Sequence, residues 1–252
     1  MARRRLPLRR LESEVARRFP EITDPLTEIA SGRIAVDGRV AANPATRIQS
    51  DASVSRRVDV PLRGEAKLRA ALAAFSIDVP GRVALDCGAA AGGFTRVLLD
   101  AGASRVYAVD AGHGQLRGSI RADARVVTME RTNIGRLDSR RIPEPVDVLT
   151  LDLSYLAIAL AAPQLGGLRF AADADMVALV KPMYELGLEH PPRRRADRRR
   201  AVASAEEGLR SAGWTPLGAI RSPVPGRRGA IEYLVHARSS TGSWDDRRRR
   251  RP

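Results

Sequence analysis

Two lysines stand out in a chain whose other basic residues are all arginine. The 252-residue sequence contains 43 basic residues, and only Lys67 and Lys181 among them are lysines. An ammonium has an ordinary pKa of about 10.4 and can be tuned to lose its proton, whereas a guanidinium keeps its charge. We therefore expect these two amines to take part in proton chemistry, although retention by accident is the alternative.

Two carboxylates fall near these amines in the predicted strand pattern. Asp152 ends one predicted strand, Lys181 ends the next, Glu232 lies on the last, and Lys67 lies in the first turn of the helix before the first strand. Because the carboxyl ends of neighbouring parallel strands meet at one edge of a sheet, we expect these four residues to form a catalytic cluster. A structural ion-pair network is the alternative interpretation.

The elements that must position this cluster follow from hydrophobic periodicity. Residues 81–237 alternate short β-branched runs with helical patterns, which predicts an α/β fold with a parallel sheet between helices. The seven predicted strands are Val83–Asp86, Arg105–Asp110, Val126–Glu130, Val146–Asp152, Met176–Lys181, Pro216–Arg221 and Ile231–Ala237. The predicted helices are Gly64–Ser76, Thr95–Leu99, Gln115–Arg121, Leu156–Leu165 and Asp197–Ala212.

A glycine-rich turn follows the first of these strands and is the predicted cofactor loop. Glycines allow the backbone to approach a bound molecule closely, and the amides at a helix N-terminus bind a carboxylate or a phosphate. The spacing differs from the dinucleotide pattern G-x-G-x-x-G, and the chain contains no P-loop. We expect the carboxylate of S-adenosylmethionine to bind here. The candidate binding residues in this turn are Asp86, Gly88, Gly92, Gly93 and Phe94.

Three further polar residues follow the second and third strands. Asp110 lies 24 residues after Asp86, where an acidic side chain accepts hydrogen bonds from the hydroxyls of an adenosine ribose. Capping of the next helix is the structural alternative for Asp110. Glu130 and Asn133 are candidates for contact with the adenine.

Methyl transfer to a hydroxyl is the chemistry that such a cluster suits. A sulfonium methyl group is already a strong electrophile, so the protein must align an oxygen nucleophile and help to remove its proton. Lys181 is the group that we place nearest to that hydroxyl, either as a neutral base or as a cation that stabilises the alkoxide. Asp152, Lys67 and Glu232 would orient Lys181 and tune its protonation.

The first 59 residues have a different character from the methyltransferase-like region at 60–240. Helical patterns at Arg9–Arg18 and Pro25–Ala30 precede a hairpin signal at Asp37-Gly38. Arginine runs occur at 191–200 and in the tail at 241–252, and we expect both runs to be mobile and to contact nucleic acid. For the tail, a role in solubility alone is the alternative. The formal net charge of +14 favours a polyanionic partner, and we expect RNA rather than DNA.

The motifs resemble the haemolysin-A-like (TlyA) family, whose methyltransferase domain is FtsJ-like. The order of Lys67, Asp152, Lys181 and Glu232 is similar to the Lys-Asp-Lys-Glu tetrad of FtsJ-like ribose 2′-O-methyltransferases. The resemblance implies a seven-stranded, Rossmann-like class I methyltransferase sheet, a small RNA-binding α+β domain like that of the fourth small-subunit ribosomal protein, and ribosomal RNA as substrate. Ala90 and Ala91 replace a Ser-Thr pair of the family pattern. The motifs that carry the resemblance are Val106–Asp110, Gly112–Leu116, Glu130–Asn133, Val180–Pro182, Ser222–Gly226 and Ile231–Tyr233.

Other classes of protein are disfavoured by composition. The single Cys87 forms no intramolecular disulfide, no Cys/His zinc pattern occurs, and we expect no metal. The basic start is not followed by an apolar stretch of signal-peptide length, and the most apolar run is shorter than a membrane span, so we expect a cytoplasmic protein and not a pore former. A non-catalytic RNA-binding or ribosome-assembly protein remains the main alternative function.

Overall fold

The computed structural model describes residues 7–41, 43–56 and 61–240. These residues form two compact units. The first contains the described residues up to Pro61 together with Arg117–Ala124, and the second contains Leu62–Leu116 and the described residues from Arg125 onward. The predicted basic tail at 241–252 lies outside the described residues.

The first unit is a small α+β fold. Its helices and its short strands surround an apolar centre made by Leu11, Val15, Ile29, Ile34 and Ile48. Strand β1 pairs with β4, and β2 pairs with both β3 and β5, all antiparallel. Its elements within the described residues up to Pro61 are β1 (Leu8–Arg10), α1 (Leu11–Arg18), α2 (Pro25–Ala30), β2 (Ile34–Val36), β3 (Arg39–Val40), β4 (Arg47–Gln49) and β5 (Val54–Arg56).

Local sequence explains two features of this unit. Helix α2 begins where predicted because the Asp24 carboxylate accepts a hydrogen bond from Thr27 N at 3.1 Å and Pro25 occupies the first helical position. The predicted hairpin joins β2 to β3, and both turn residues have positive φ, 50° at Asp37 and 75° at Gly38. The strands β1, β4 and β5 are too short to show an alternating pattern and were not predicted.

The second unit contains the predicted seven-stranded sheet. Its strand order is β11-β12-β10-β9-β6-β7-β8, and only β12 runs antiparallel to its neighbours. Five of the six residues of β9 are buried, as expected of a central strand that is covered on both faces. The strands are β6 (Val83–Cys87), β7 (Arg105–Val109), β8 (Val126–Met129), β9 (Val146–Leu151), β10 (Phe170–Val180), β11 (Trp214–Arg221) and β12 (Tyr233–Ser239).

Helices follow most of these strands in the chain. Gly208 lets α8 approach α6, because a Cβ at this position would lie 2.3 Å from the Cα of Ala159. Among the described residues no helix is both long and apolar enough to cross a membrane. The helices are α3 (Arg63–Phe75), α4 (Gly93–Asp100), α5 (Gly118–Arg121), α6 (Ile158–Ala161), α7 (Pro182–Glu185) and α8 (Arg195–Ser211).

The structure corrects several predicted boundaries. The segment predicted as one helix at 156–165 is a single α-turn followed by a 3₁₀ turn, because Pro163 interrupts the helical hydrogen bonding. The expectation that 191–200 is mobile is wrong for its second half, since Arg195–Arg200 form the start of α8. Some residues that were predicted to end or begin strands lie just outside them: Asp110, Glu130, Asp152, Lys181, Ile231 and Glu232.

Candidate active site

The site lies where the order of the parallel strands reverses. Strands β7 and β8 extend the sheet on one side of β6, whereas β9 and β10 extend it on the other. Doubly wound sheets bind ligands at such a reversal, beyond the carboxyl ends of the strands. The loop after β6 and Asp152, which follows β9, therefore meet at this point.

Gly88 shows how closely these two segments approach. Its φ is +90°, and a Cβ at this position would lie 2.4 Å from the backbone oxygen of Asp152. Only glycine satisfies both the backbone conformation and the available space. Gly92 also has a positive φ, +94°, and immediately precedes α4.

The loop borders a cavity on the side where the cofactor is expected. This cofactor cavity has a volume of about 260 Å³, and its lining includes Gly88, Gly93, Phe94 and Asp152. A Cβ on Gly93 would lie 3.1 Å from the Cα of Gly64, so α4 packs against the start of α3. Backbone amides at the start of α4 and the absence of side-chain bulk at Gly88 suit a carboxylate-bearing ligand.

The three polar residues that were expected around the nucleoside hold loops in place. Asp110 accepts hydrogen bonds from Ala90 N at 2.9 Å and from Gly112 N at 2.6 Å. Glu130 accepts from Gln115 N at 3.1 Å. The side chain of Asn133 accepts from Gly135 N at 2.9 Å. Each oxygen retains lone pairs, so cofactor contact by these residues stays a prediction.

The side chain of Asp86 lies beneath the glycine loop, and its contact with the cofactor stays a prediction. Its side chain is fully buried, and its two oxygens accept hydrogen bonds from Thr95 at 2.6 Å and from Thr150 at 2.8 Å. Burial raises the pKa of Asp86 to about 6 although both threonine hydroxyls favour the charged form. Asp86 thus fixes the base of the glycine loop from below.

The four predicted catalytic residues form two ion pairs. Lys67 Nζ lies 2.6 Å from Glu232 Oε2, and the two side chains are 9% and 6% exposed. Lys181 Nζ lies 2.6 Å from Asp152 Oδ1, and here the exposures are 13% and 24%. The second pair is therefore the more accessible one.

Lys181 has two hydrogen-bond partners besides Asp152. Its Nζ donates to the backbone oxygen of Leu153 at 2.8 Å and to Ser154 Oγ at 3.0 Å. Three acceptors match the three hydrogens of an ammonium. These three acceptors fix the position of Lys181 Nζ.

Both pairs face one larger cavity. This substrate cavity has a volume of about 480 Å³, and Lys67, Asp152, Lys181 and Glu232 all line it. Asp152 also lines the cofactor cavity, so the two spaces adjoin. A purely structural ion-pair network needs no cavity beside it, and this placement favours the functional interpretation.

Sequence reasoning missed three residues that support the pairs. Ser154 belongs to no recognisable motif, although it stands two residues after Asp152. A Cβ on Gly226 would lie 2.0 Å from Glu232 Oε1, so this glycine makes room for the carboxylate. The Arg63 guanidinium donates to the backbone oxygens of Pro225 and Gly226, which joins α3 to the loop before Glu232. Ser222–Gly226 forms one of the family motifs, but the close approach of Gly226 to Glu232 depends on the fold of the loop. Hydrophobic periodicity does not predict such a contact.

The comparison with known sequences decides the family. Residues 61–239 match the FtsJ-like methyltransferase family. The 16S/23S rRNA (cytidine-2′-O)-methyltransferase TlyA of Mycobacterium tuberculosis is 40% identical over 225 residues, which cover 84% of this chain and 82% of that protein. The chain belongs to the TlyA family of FtsJ-like methyltransferases. Hemolysin A of Brachyspira hyodysenteriae, a further relative, is 31% identical over 220 residues, or 82% of this chain and 90% of that protein.

Solved structures agree with this membership of the TlyA family. A structure from Streptococcus thermophilus described as a hemolysin has a TM-score of 0.68 and 27% identity, and the match covers 93% of this chain and 90% of that one. A second, from Lactococcus lactis, has a TM-score of 0.67 and 32% identity, with 71% and 88% covered. The predicted fold class, the methyltransferase activity and the cofactor S-adenosylmethionine are thereby confirmed. The roles of the individual site residues stay predictions.

Proposed function

We propose that this chain methylates the 2′-hydroxyl of a ribose in ribosomal RNA, with S-adenosylmethionine as methyl donor. The observation that carries the proposal is that two lysine–carboxylate pairs face a cavity that adjoins the glycine loop. The names of the TlyA relatives support the substrate class. Ribosomes or their subunits in the cytoplasm are the setting that this substrate implies.

Each side chain has a part in the proposed reaction. Gly88, Gly93 and Phe94 would hold the methyl donor, which supplies an electrophilic methyl group when bound. Lys181 Nζ would exchange one of its present acceptors for the ribose oxygen, and the hydroxyl proton would pass to Lys181 as that oxygen bonds to the methyl carbon and the bond from this carbon to sulfur breaks. Lys181 would take that proton itself only if it first gave one of its own to Asp152, 2.6 Å away.

The Lys67–Glu232 pair would complete the cavity wall. Both side chains are more than nine-tenths buried, so removing one partner leaves an uncompensated charge. Their tight contact makes them suited to orient the substrate rather than to exchange protons with solvent.

We also propose that residues 1–59 act as an RNA-binding domain. Five arginines of this unit are bound to two acids: Arg9, Arg17 and Arg18 contact Glu14, and Arg33 and Arg56 contact Glu28. Arg39 and Arg47 are exposed and take part in no ion pair of the described residues. These two are the candidate phosphate contacts, and we expect Arg39→Gln with Arg47→Gln to lower RNA affinity about tenfold in a filter-binding assay.

The test of the proposed activity is transfer of tritiated methyl groups to ribosomal subunits, followed by mapping of the labelled nucleotide. A labelled dinucleotide that resists alkali would establish 2′-O-methylation, because the methylated ribose cannot cyclise. Label that alkali releases as mononucleotide would instead indicate base methylation and overturn the ribose assignment.

A calorimetric titration with S-adenosylmethionine addresses the non-catalytic alternative. Binding by the wild-type chain is expected. No binding together with no transfer would favour a ribosome-assembly role without catalysis.

A further inference from the structure

Two arginine-bearing segments border the substrate cavity, and the proposed activity gives neither of them a role. Arg227 and Arg228 line the cavity from the loop between β11 and β12, and both are exposed. Pro191 and Pro192 line it from the segment before α8. We name the first segment rim 1 (Arg227 and Arg228) and the second rim 2 (Arg193–Arg195 and Arg199).

Rim 1 sits on a loop that is held from both sides. Gly226 N donates to Ala230 O at 2.7 Å, and Ser222 N donates to Glu232 O at 2.9 Å. The Arg63 guanidinium binds two backbone oxygens of the same loop. Rim 1 and Glu232 are therefore fixed relative to each other on one short segment.

The backbone of rim 1 is strained at Arg228. Its φ is +55°, in the left-handed region where glycine is favoured and an arginine is rarely found. Strained conformations of this kind concentrate at functional sites. Arg228 lines the cavity although its backbone conformation is strained.

Rim 2 carries an electrostatic conflict. Helix α8 begins at Arg195, and the N-terminus of a helix carries partial positive charge, which repels cations. The acid in this first turn, Asp197, lies 3.4 Å from Arg200 and leaves the other arginines uncompensated. A bound anion would relieve the conflict.

Neither rim is neutralised within the part of the chain that the structure describes. Arg193, Arg194, Arg227 and Arg228 are exposed and form no ion pair with a described acid. The unpaired acid of the cavity lining, Glu189, is outnumbered by these guanidinium groups. Rim 1 thus places positive charge on the wall of the cavity, and rim 2 follows directly in the chain after Pro192, which lines another part of it.

We propose that the two rims bind phosphates of one RNA strand on either side of the nucleotide whose ribose enters the cavity. A volume of about 480 Å³ suits one small-molecule-sized group, which excludes a duplex from the cavity. Guanidinium forks match phosphate oxygens in geometry and charge. The inference rests on the proposed function, since it concerns the same cavity.

The test compares two paired variants with a matched control. Arg227→Gln/Arg228→Gln removes rim 1, and Arg193→Gln/Arg194→Gln weakens rim 2. Arg140→Gln/Arg141→Gln is the control, because these adjacent arginines are exposed, form no ion pair with a described acid and line neither cavity. For each protein, KM and kcat for methyl transfer to ribosomal subunits are measured, with RNA affinity at several salt concentrations.

Each rim variant is expected to raise KM about tenfold or more and to change kcat less than threefold. The slope of log affinity against log salt should fall by about 0.7 for each phosphate that the variant no longer neutralises. The control should change KM less than twofold. Rim variants that behave like the control would overturn this inference, whereas a wild-type protein that transfers no methyl group to RNA would overturn the proposed function instead.

A second variant separates binding from folding. Arg228→Gly relieves the left-handed strain, so the melting temperature should stay the same or rise while RNA affinity falls. An unchanged RNA affinity in this variant would count against rim 1.

Discussion

A charged cluster lies at each end of the stretch over which β10 and β12 pair, and the two clusters differ in their surroundings. At one end Lys181 and Glu232 contribute to the pairs beside the substrate cavity. At the other end Asp175 of β10 lies opposite Arg238 of β12. The segment from Asp175 to Lys181 spans about 20 Å of strand, so the clusters are independent.

The Asp175 cluster is closed. Its carboxylate is 2% exposed and accepts hydrogen bonds from His236 at 2.8 Å, Arg82 at 2.8 Å and Arg238 at 3.1 Å. Burial opposes ionisation, but the three donors together lower the pKa of Asp175. A buried cluster of charged residues therefore indicates a functional site only where the cluster lines a cavity.

Substitution of Lys181 in one cluster and of Asp175 in the other should give the largest difference in activity and stability. Lys181→Arg is expected to lower methyl transfer about 10³-fold without loss of stability, because a guanidinium has a different shape and cannot give up a proton. Asp175→Asn should leave the activity of the folded protein unchanged and lower stability by about 3 kcal/mol, since it removes the buried carboxylate that His236, Arg82 and Arg238 share. Turnover assays and urea denaturation of both variants check this. Near-normal turnover of Lys181→Arg would exclude a role for the amine in proton transfer.

The pH dependence of stability should separate Asp86 from Asp175. The folded pKa of Asp86 is raised to about 6 from an unfolded value of 3.8, so the folded state binds more protons and stability falls as pH rises through this window, by about 3 kcal/mol. Asp86→Asn should flatten the slope between about pH 4 and pH 7 in urea denaturation. The lowered pKa of Asp175 has the opposite sign, and its stabilisation is lost only below about pH 3.8. An unaltered slope in Asp86→Asn would show that another group is responsible.

A smaller loss of activity is expected from substitution of Gly226, which makes room for Glu232 beside the substrate cavity. In Gly226→Ala the new Cβ would meet Glu232 Oε1 at 2.0 Å and displace the carboxylate from Lys67. We expect kcat to fall about 30-fold through misalignment, and the melting temperature to fall as well because Gly226 and the Lys67–Glu232 pair are buried. Gly229→Ala, on the same loop and with open space around its Cβ, is the control for the altered loop, although its φ of +74° will lower stability somewhat. Equal kcat values in the two variants would contradict the proposed support of Glu232.

The smallest effect should come from Ser154. Ser154→Ala removes one of the three acceptors of Lys181 and is expected to lower kcat about threefold to tenfold without raising KM. Ser154→Thr keeps the hydroxyl and should restore most of the activity. A change confined to KM would place Ser154 in substrate binding instead.

How far the sequence predicts the site depends on how local each interaction is. The end of a strand is a local signal, and it placed Asp152 and Lys181 side by side to within one residue. Asp86 was assigned to the cofactor because its position in the turn is local, but its partners Thr95 and Thr150 lie 9 and 64 residues away. The support of Glu232 by Gly226 depends on side-chain packing, which periodicity does not report.

The arginine run at 191–200 shows that local sequence signals also limit the prediction of secondary structure. Charge repulsion suggested mobility, yet Ala201, Ala205 and Leu209 lie at helical spacing and are buried, so packing of the later turns holds the first turn in place.

The Lys67–Glu232 pair joins residues that are 165 positions apart in the chain. During synthesis, Lys67 emerges long before its carboxylate partner. Until β12 inserts between β10 and β11, the amine has no buried counter-ion and stays hydrated. Pairing of β12 with β10 and β11 therefore completes the sheet and also brings Glu232 to Lys67.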